Sequence, residues 1–196
     1  MRLTHLITAT ATAAALALAT HSTALAAPYI LDKSHAHVTF SVDHLGFSTT
    51  QGRFREFDAE IEFSPDAVEN TQLRFVIDAA SVDTLWEKRD NHLRSKDFFD
   101  VANHPEIVFE STSVTPTGPD TADVTGNLTM VGVTNEVTLK AVLNQLGPSP
   151  FNPAKTIAGF TVTGEIDRSA FGITFAAPAV GTVIPVRIDL EISPAS

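Results

Sequence analysis

His35-Ala36-His37-Val38-Thr39-Phe40-Ser41-Val42-Asp43-His44 alternates between apolar and polar side chains, with Val38, Phe40 and Val42 on one side and His37, Thr39, Ser41 and Asp43 on the other. A period of two is strand spacing, because successive side chains of an extended chain point to opposite faces. His44 falls on the apolar side, which predicts a buried and hydrogen-bonded imidazole. Outward along the chain the same period returns in Phe57, Ala59, Ile61 and Phe63, in Leu73, Phe75 and Ile77, and in Ile107 and Phe109. It returns again in Val124 to Met130, Val137 to Leu143, Phe160 to Ile166 and Ile184 to Leu190. Together with a short segment at Tyr29 to Asp32 this makes about eight long strands. Between Phe54 and Phe57 the alternation slips by one residue, which predicts a bulge that bends the sheet.

Turn chemistry separates these segments: Ser64-Pro65-Asp66, Thr115 to Asp120, and Gly147 to Pro153. Thr84 to Ser95 breaks the strand pattern. Thr84 and Glu87 have capping-box spacing, and Leu85, Trp86, Arg89 and Leu93 share one side of a helix over about 85–95. Asp97 to Asp100 predicts a further turn before His104-Pro105 returns the chain to strand. The fold class that follows is all-β: an antiparallel, about eight-stranded barrel with one short helix across an end, since closure removes the exposed edges of the sheet. A barrel of this size is either filled by its own side chains or just able to hold one ligand.

The beginning of the chain reads differently. Met1 and Arg2 precede a run of Leu, Ile, Ala and Thr with no further charge until Asp32, and Ala24-Leu25-Ala26 is a small-x-small cleavage pattern. Residues 1–26 are therefore expected to be a signal peptide and residues 27–196 one exported domain, periplasmic or secreted. There is no cysteine, so neither disulfides nor thiolate chemistry enter. The net charge of −10 becomes one unit more negative once Arg2 is removed, and argues against a nucleic-acid partner. A membrane-spanning barrel alternates in the same way but carries aromatic girdles, and this chain has one Trp and one Tyr. Stable membrane insertion is not expected.

Several stretches together resemble the YceI-like family of exported lipocalin-like barrels associated with polyisoprenoid lipids. They are Tyr29 to Asp32 with His35, Phe40 to Leu45, Gly52-Arg53-Phe54, Arg89 to Asp100, Gly126 to Thr129, and Arg168 to Gly172. Arg89-Asp90-x-His92-Leu93, followed by Asp97-Phe98-Phe99, is the most specific. The chain departs from the pattern at His37, Ala170, Thr182 and Val183.

The resemblance implies a polyisoprenoid or isoprenoid quinone held in the interior, without cofactor or chemistry. At ~0.8 kcal/mol per buried CH₂, a five-carbon isoprene unit contributes roughly 3–4 kcal/mol at most. Five or more fully enclosed units would then exceed an association cost of roughly 4–15 kcal/mol. The apolar lining expected from strand alternation is Phe40, Val42, Phe57, Ile61, Leu73, Phe75, Ile77, Phe109, Leu128, Leu139, Phe160 and Ile188. Arg89, Asp90, His92 and Arg168 are candidates for a polar rim that receives a head group, or for ties between helix and barrel.

Two other chemistries are thinner. Asp90, His92, Ser95 and Ser169 are raw material for a hydrolytic triad, but no Gly-x-Ser-x-Gly elbow is present. His35 and His37 share a strand face without a third metal ligand in register, so no metal is expected. A partner-binding stress protein has no specific patch to point to, and a homodimer stays open.

Overall fold

The computed structural model describes residues 25–195, so most of the expected signal peptide lies outside the described residues. The strands are β1 Ala27–Leu31, β2 His37–His44, β3 Ser48–Phe54, β4 Phe57–Phe63, β5 Gln72–Asp78, β6 Val82–Asp83, β7 Glu106–Gly118, β8 Thr121–Met130, β9 Val133–Pro148, β10 Thr156–Asp167 and β11 Val183–Pro194. The α-helix, α1, is Glu87–Arg94.

All pairings are antiparallel, and the ring closes because β1 pairs with both β4 and β11. β1 and β2 follow one another along β11. β4 and β3 follow one another along that pair, and β5 and β6 along β4 and β3. Each pair of short strands fills one position, and with β7 to β11 the ring has eight positions in an up-and-down meander. The predicted slip between Phe54 and Phe57 is the break between β3 and β4, where Arg55 N donates to Ser81 O at 3.2 Å and Asp78 N to Glu56 O at 3.0 Å. Ser48–Phe54 is a strand that the alternation of large apolar residues does not reveal. Its sequence is polar, and its Gly52 stands where the Phe40 ring lies across the neighbouring strand, leaving a Cβ only 2.2 Å from that ring.

One end of the barrel is shut. Tyr29 packs edge-on against Phe63, and Phe63 against Phe160, with ring centroids 5.2 and 5.4 Å apart. Leu31, Ala158 and Ile192 are buried around them. This floor explains why sequence alternation points Phe160 and Ile61 inward although neither borders the cavity above: Ile61 pairs with Tyr29 and Leu73 in the adjoining layer.

The other end carries α1, the turn that follows it, and residues 168–182. The helix begins at Glu87 rather than near 85, and the capping box does not form. Trp86 holds the N-cap position without a side-chain bond, because Thr84 is engaged by Asp90 instead. Thr84 N donates to Asp90 Oδ1 at 2.9 Å, and the Thr84 hydroxyl donates to the same oxygen. Leu85, with φ of +63°, and Trp86 point to solvent instead of covering the barrel, at 88% and 56% exposure. Arg94 fastens the helix to the wall, donating from Nε to Ala80 O at 2.8 Å and from Nη2 to Val82 O at 3.0 Å.

Candidate functional site

Inside the barrel lies a cavity of about 400 Å³. Of the residues expected to line it, Phe40, Val42, Leu73, Phe75, Ile77, Phe109, Leu128, Leu139 and Ile188 do so. Phe57, Ile61 and Phe160 do not border it: Phe57 stacks on Phe75 at 5.7 Å, and the other two belong to the floor. The wall also includes Val162, Ile166, Val186 and Leu190, which continue the same alternating strands, and Leu93, Phe98, Phe99 and Phe175. Phe175 sits in a loop with no periodicity, so nothing in the sequence marks it as part of the wall.

Polar groups gather at the mouth. Thr50, Thr84, Arg89, His92, Arg168 and His44 border the cavity there. His44 is exposed, contrary to the buried imidazole expected from its strand face. β2 has by then run past β11, whose register with it ends at Phe40, and His44 keeps only the pairing with Ser48 of β3 and an isolated bridge to Val180, so its apolar side is no longer covered.

The expected rim residues divide by their bonds. Asp90 is 4% exposed, and its carboxylate is spent on Thr84. Arg89 is half-buried; it donates from Nε to Thr84 Oγ1 and from Nη2 to Thr84 O, both at 2.7 Å, and lies 5.5 Å over the Trp86 ring. Arg168, 6% exposed, donates to Gly181 O, Ile173 O and Val180 O at 3.0, 2.7 and 2.9 Å. Its guanidinium also lies 5.9 Å over the Phe98 ring. Burial lowers the pKa of Arg168 from its ordinary value, with Asp167 opposing. Asp90 and Arg168 are thus ties that shape the mouth.

His92 remains turned to the cavity, its ring 5.1 Å from Phe98 and 4.9 Å from Phe175. The triad candidates do not assemble: His92 Nε2 lies 3.0 Å from Asp97 Oδ2 rather than meeting Asp90. Ser95 Oγ donates to His92 O at 2.8 Å, and Ser169 Oγ to Asp167 Oδ1 at 2.6 Å.

His35 finds carboxylates and not His37. Its Nδ1 lies 3.1 Å from Asp32 Oδ2 and 4.0 Å from Glu191 Oε2 on the outer surface. The Ser34 hydroxyl first, then His35, hold the Asp32 carboxyl down at about 2. The hydrogen bond to Asp32, then its charge, raises the His35 pKa. A depressed carboxylate stabilises the fold above its unfolded value of about 3.9 and loses that contribution as pH falls toward the folded value. A raised histidine contributes fully below about 6.5 and loses its contribution as pH climbs through the elevated value. The urea midpoint of the protein should therefore exceed that of Asp32→Asn most between about pH 4 and 6.5, converge with it in acid, and narrow in base only by the His35 share, the share due to the Ser34 hydrogen bond persisting. A gap that neither shrinks below about pH 4 nor narrows above about pH 6.5 would contradict the pairing.

A model of the YceI-like domain family matches residues 29–192. A UPF0312 protein of Pseudomonas aeruginosa is 42% identical over 177 residues, covering 89% of this chain and 91% of its own. The crystal structure of Burkholderia cenocepacia BcnA superposes with a TM-score of 0.74 at 25% identity, over 82% of this chain and 98% of that one. A polyisoprenoid binding domain from Saccharophagus degradans shares the fold with a TM-score of 0.60 at 16% identity, over 85% of this chain and 98% of its own.

Proposed function

Because the chain belongs to the YceI-like domain family, we propose that it binds, carries or stores a long polyisoprenoid or isoprenoid-quinone-type lipid in its barrel, without chemistry, after export to the periplasm. The observation that carries this reading is the cavity: an apolar chamber of about 400 Å³, closed at the floor by Tyr29, Phe63 and Phe160, with its polar residues, Thr39 apart, gathered at the mouth. Such a chamber rewards an apolar chain and offers buried polar partners to nothing else. The name borne by the Saccharophagus degradans relative agrees with it. His92 and Arg89 are the rim groups placed to meet a polar head, while Asp90 and Arg168 hold the rim in shape.

The volume sets a limit. At roughly 30 Å³ per non-hydrogen atom, the share of one molecule in liquid water, the chamber takes about a dozen carbons, or about two to three isoprene units. At ~0.8 kcal/mol per buried CH₂ this is roughly 10 kcal/mol of gross transfer energy, within the roughly 4–15 kcal/mol that association costs. Full enclosure of five units, as the sequence suggests, does not fit the chamber. The enclosed segment is a part of the chain, and the remainder stays at or beyond the mouth.

Titration of detergent-free protein with isoprenoid alcohols of increasing length tests the proposal. Affinity should rise ~10-fold or more with each added unit while the chamber fills, then level off after about the third. Binding that is absent at every length, or indifferent to length, would contradict it.

A further inference from the structure

Three segments border the mouth, and each holds a large apolar side chain out into water. The β2–β3 turn carries Phe47, 89% exposed; the β6–α1 link carries Leu85 and Trp86, 88% and 56% exposed; the loop before β11 carries Phe175, 46% exposed. Each segment also supplies wall to the chamber, through His44 and Thr50, Thr84 and Arg89, and Phe175 and Val180 respectively. The exposed groups therefore stand on the three segments that rim the cavity, as a collar around its mouth. At the closed end Phe151 is also exposed, but it stands in the β9–β10 loop and borders no chamber.

The collar is held in place. Asp43 Oδ1 accepts from Gly46 N at 3.0 Å, and Phe47 N donates to His44 O at 3.1 Å. Gly181 N donates to Asp43 O at 3.1 Å, joining that turn to the loop of Phe175. Leu85 N donates to Asp83 Oδ1 at 2.9 Å, and the Asp83 carboxylate is itself gripped by Arg53 at 3.0 and 2.8 Å. These bonds fix the turns that present Phe47 and Leu85 to water, so several large apolar groups are held around one opening, and exposed apolar groups gathered in one place are a feature of interaction sites. Lys88 and Lys96, beside Leu85 and Trp86, are exposed and offer cations to a phosphate-bearing surface; Glu87 lies 3.3 Å from Arg94 and Asp83 2.8 Å from Arg53, while Asp43 and Asp97 add carboxylates to the rim.

We propose that this collar docks the mouth of the barrel onto a lipid bilayer, with Phe47, Leu85 and Trp86 in the acyl boundary and Lys88 and Lys96 at the phosphates, as a peripheral contact. The proposal rests on the lipid-carrier reading for its purpose: a chain longer than the chamber keeps its remainder in the bilayer instead of in water, and passes through the mouth without crossing solvent. The collar geometry stands apart from that reading.

Trp86 is the only tryptophan in the chain and sits in the collar, so its fluorescence reports docking directly. The probe is a vesicle of phosphatidylethanolamine and phosphatidylglycerol, free of isoprenoid, with and without brominated acyl chains. Docking predicts a blue-shifted Trp86 emission that brominated chains quench. Phe47→Ser and Leu85→Ser should each weaken partitioning ~10-fold, while leaving isoprenoid-alcohol binding in solution unchanged. Absence of quenching at saturating vesicle, variants that partition like the parent, or a collar-dependent dimer in sedimentation with no vesicle binding would each overturn it. Vesicle binding without isoprenoid binding would instead overturn the carrier reading and leave docking intact.

Discussion

Arg168→Met should cost about 3–5 kcal/mol of stability, the range for removing one partner from a buried charged network. The guanidinium is enclosed, and its donors reach Gly181 O, Ile173 O and Val180 O, so the loop from Gly172 to Thr182 is gathered around it. Methionine fills similar space but donates nothing. The orphaned carbonyls must find water, which they can do only if the loop lifts off Phe98. Since domains of this kind are stable by roughly 5–15 kcal/mol, the loss should appear as a large drop in the guanidinium midpoint. Arg168→Lys should recover little of it, because one ammonium cannot span three carbonyls set in different directions. A midpoint within the spread of surface substitutions, roughly 0.5 kcal/mol, would show that the bonds around Arg168 are not what holds the loop.

Val162→Trp should leave the fold standing and remove most of the binding. Val162 stands on β10 two residues from Phe160 of the floor and faces the chamber. An indole there enters space that is empty of protein, so the overpacking cost of about 1–3 kcal/mol seen in filled cores is an upper limit. The same ring takes room for several carbons from a chamber that holds about a dozen. At ~0.8 kcal/mol per displaced CH₂, retention of an apolar chain should fall at least ~10-fold. Equal loss of stability and binding would instead mean that the chamber is ordinary core.

Much of the architecture was legible because a closed sheet writes its inside and outside into alternate residues. Val38, Phe40 and Val42 already declare one face, and the register of β7 to β11 repeats that declaration. Alternation says which way a side chain points but not what lies opposite. Phe160 and Ile61 point inward yet meet the aromatic plug of the floor, and His44 points the same way from a strand that has outrun its cover. Thr84 illustrates a second limit. Its spacing to Glu87 satisfies the capping box, but Asp90 on the same helix competes for the hydroxyl and wins by burial. Phe175 and the collar were hidden for another reason: they belong to loops, whose positions are set by long-range bonds such as those of Arg168 and Asp43. Ser48–Phe54 escaped because, of its inward positions Thr50, Gly52 and Phe54, only the last is a large apolar residue, the glycine making room for Phe40.

Native mass spectrometry of residues 27–196, purified without detergent and compared with Val162→Trp, tests the central claim most directly. A chamber that works as a lipid container predicts an adduct of one apolar molecule per chain, extractable into organic solvent and depleted in the variant. Bare polypeptide mass from every preparation of the parent, or an adduct that the variant keeps undiminished, would contradict it.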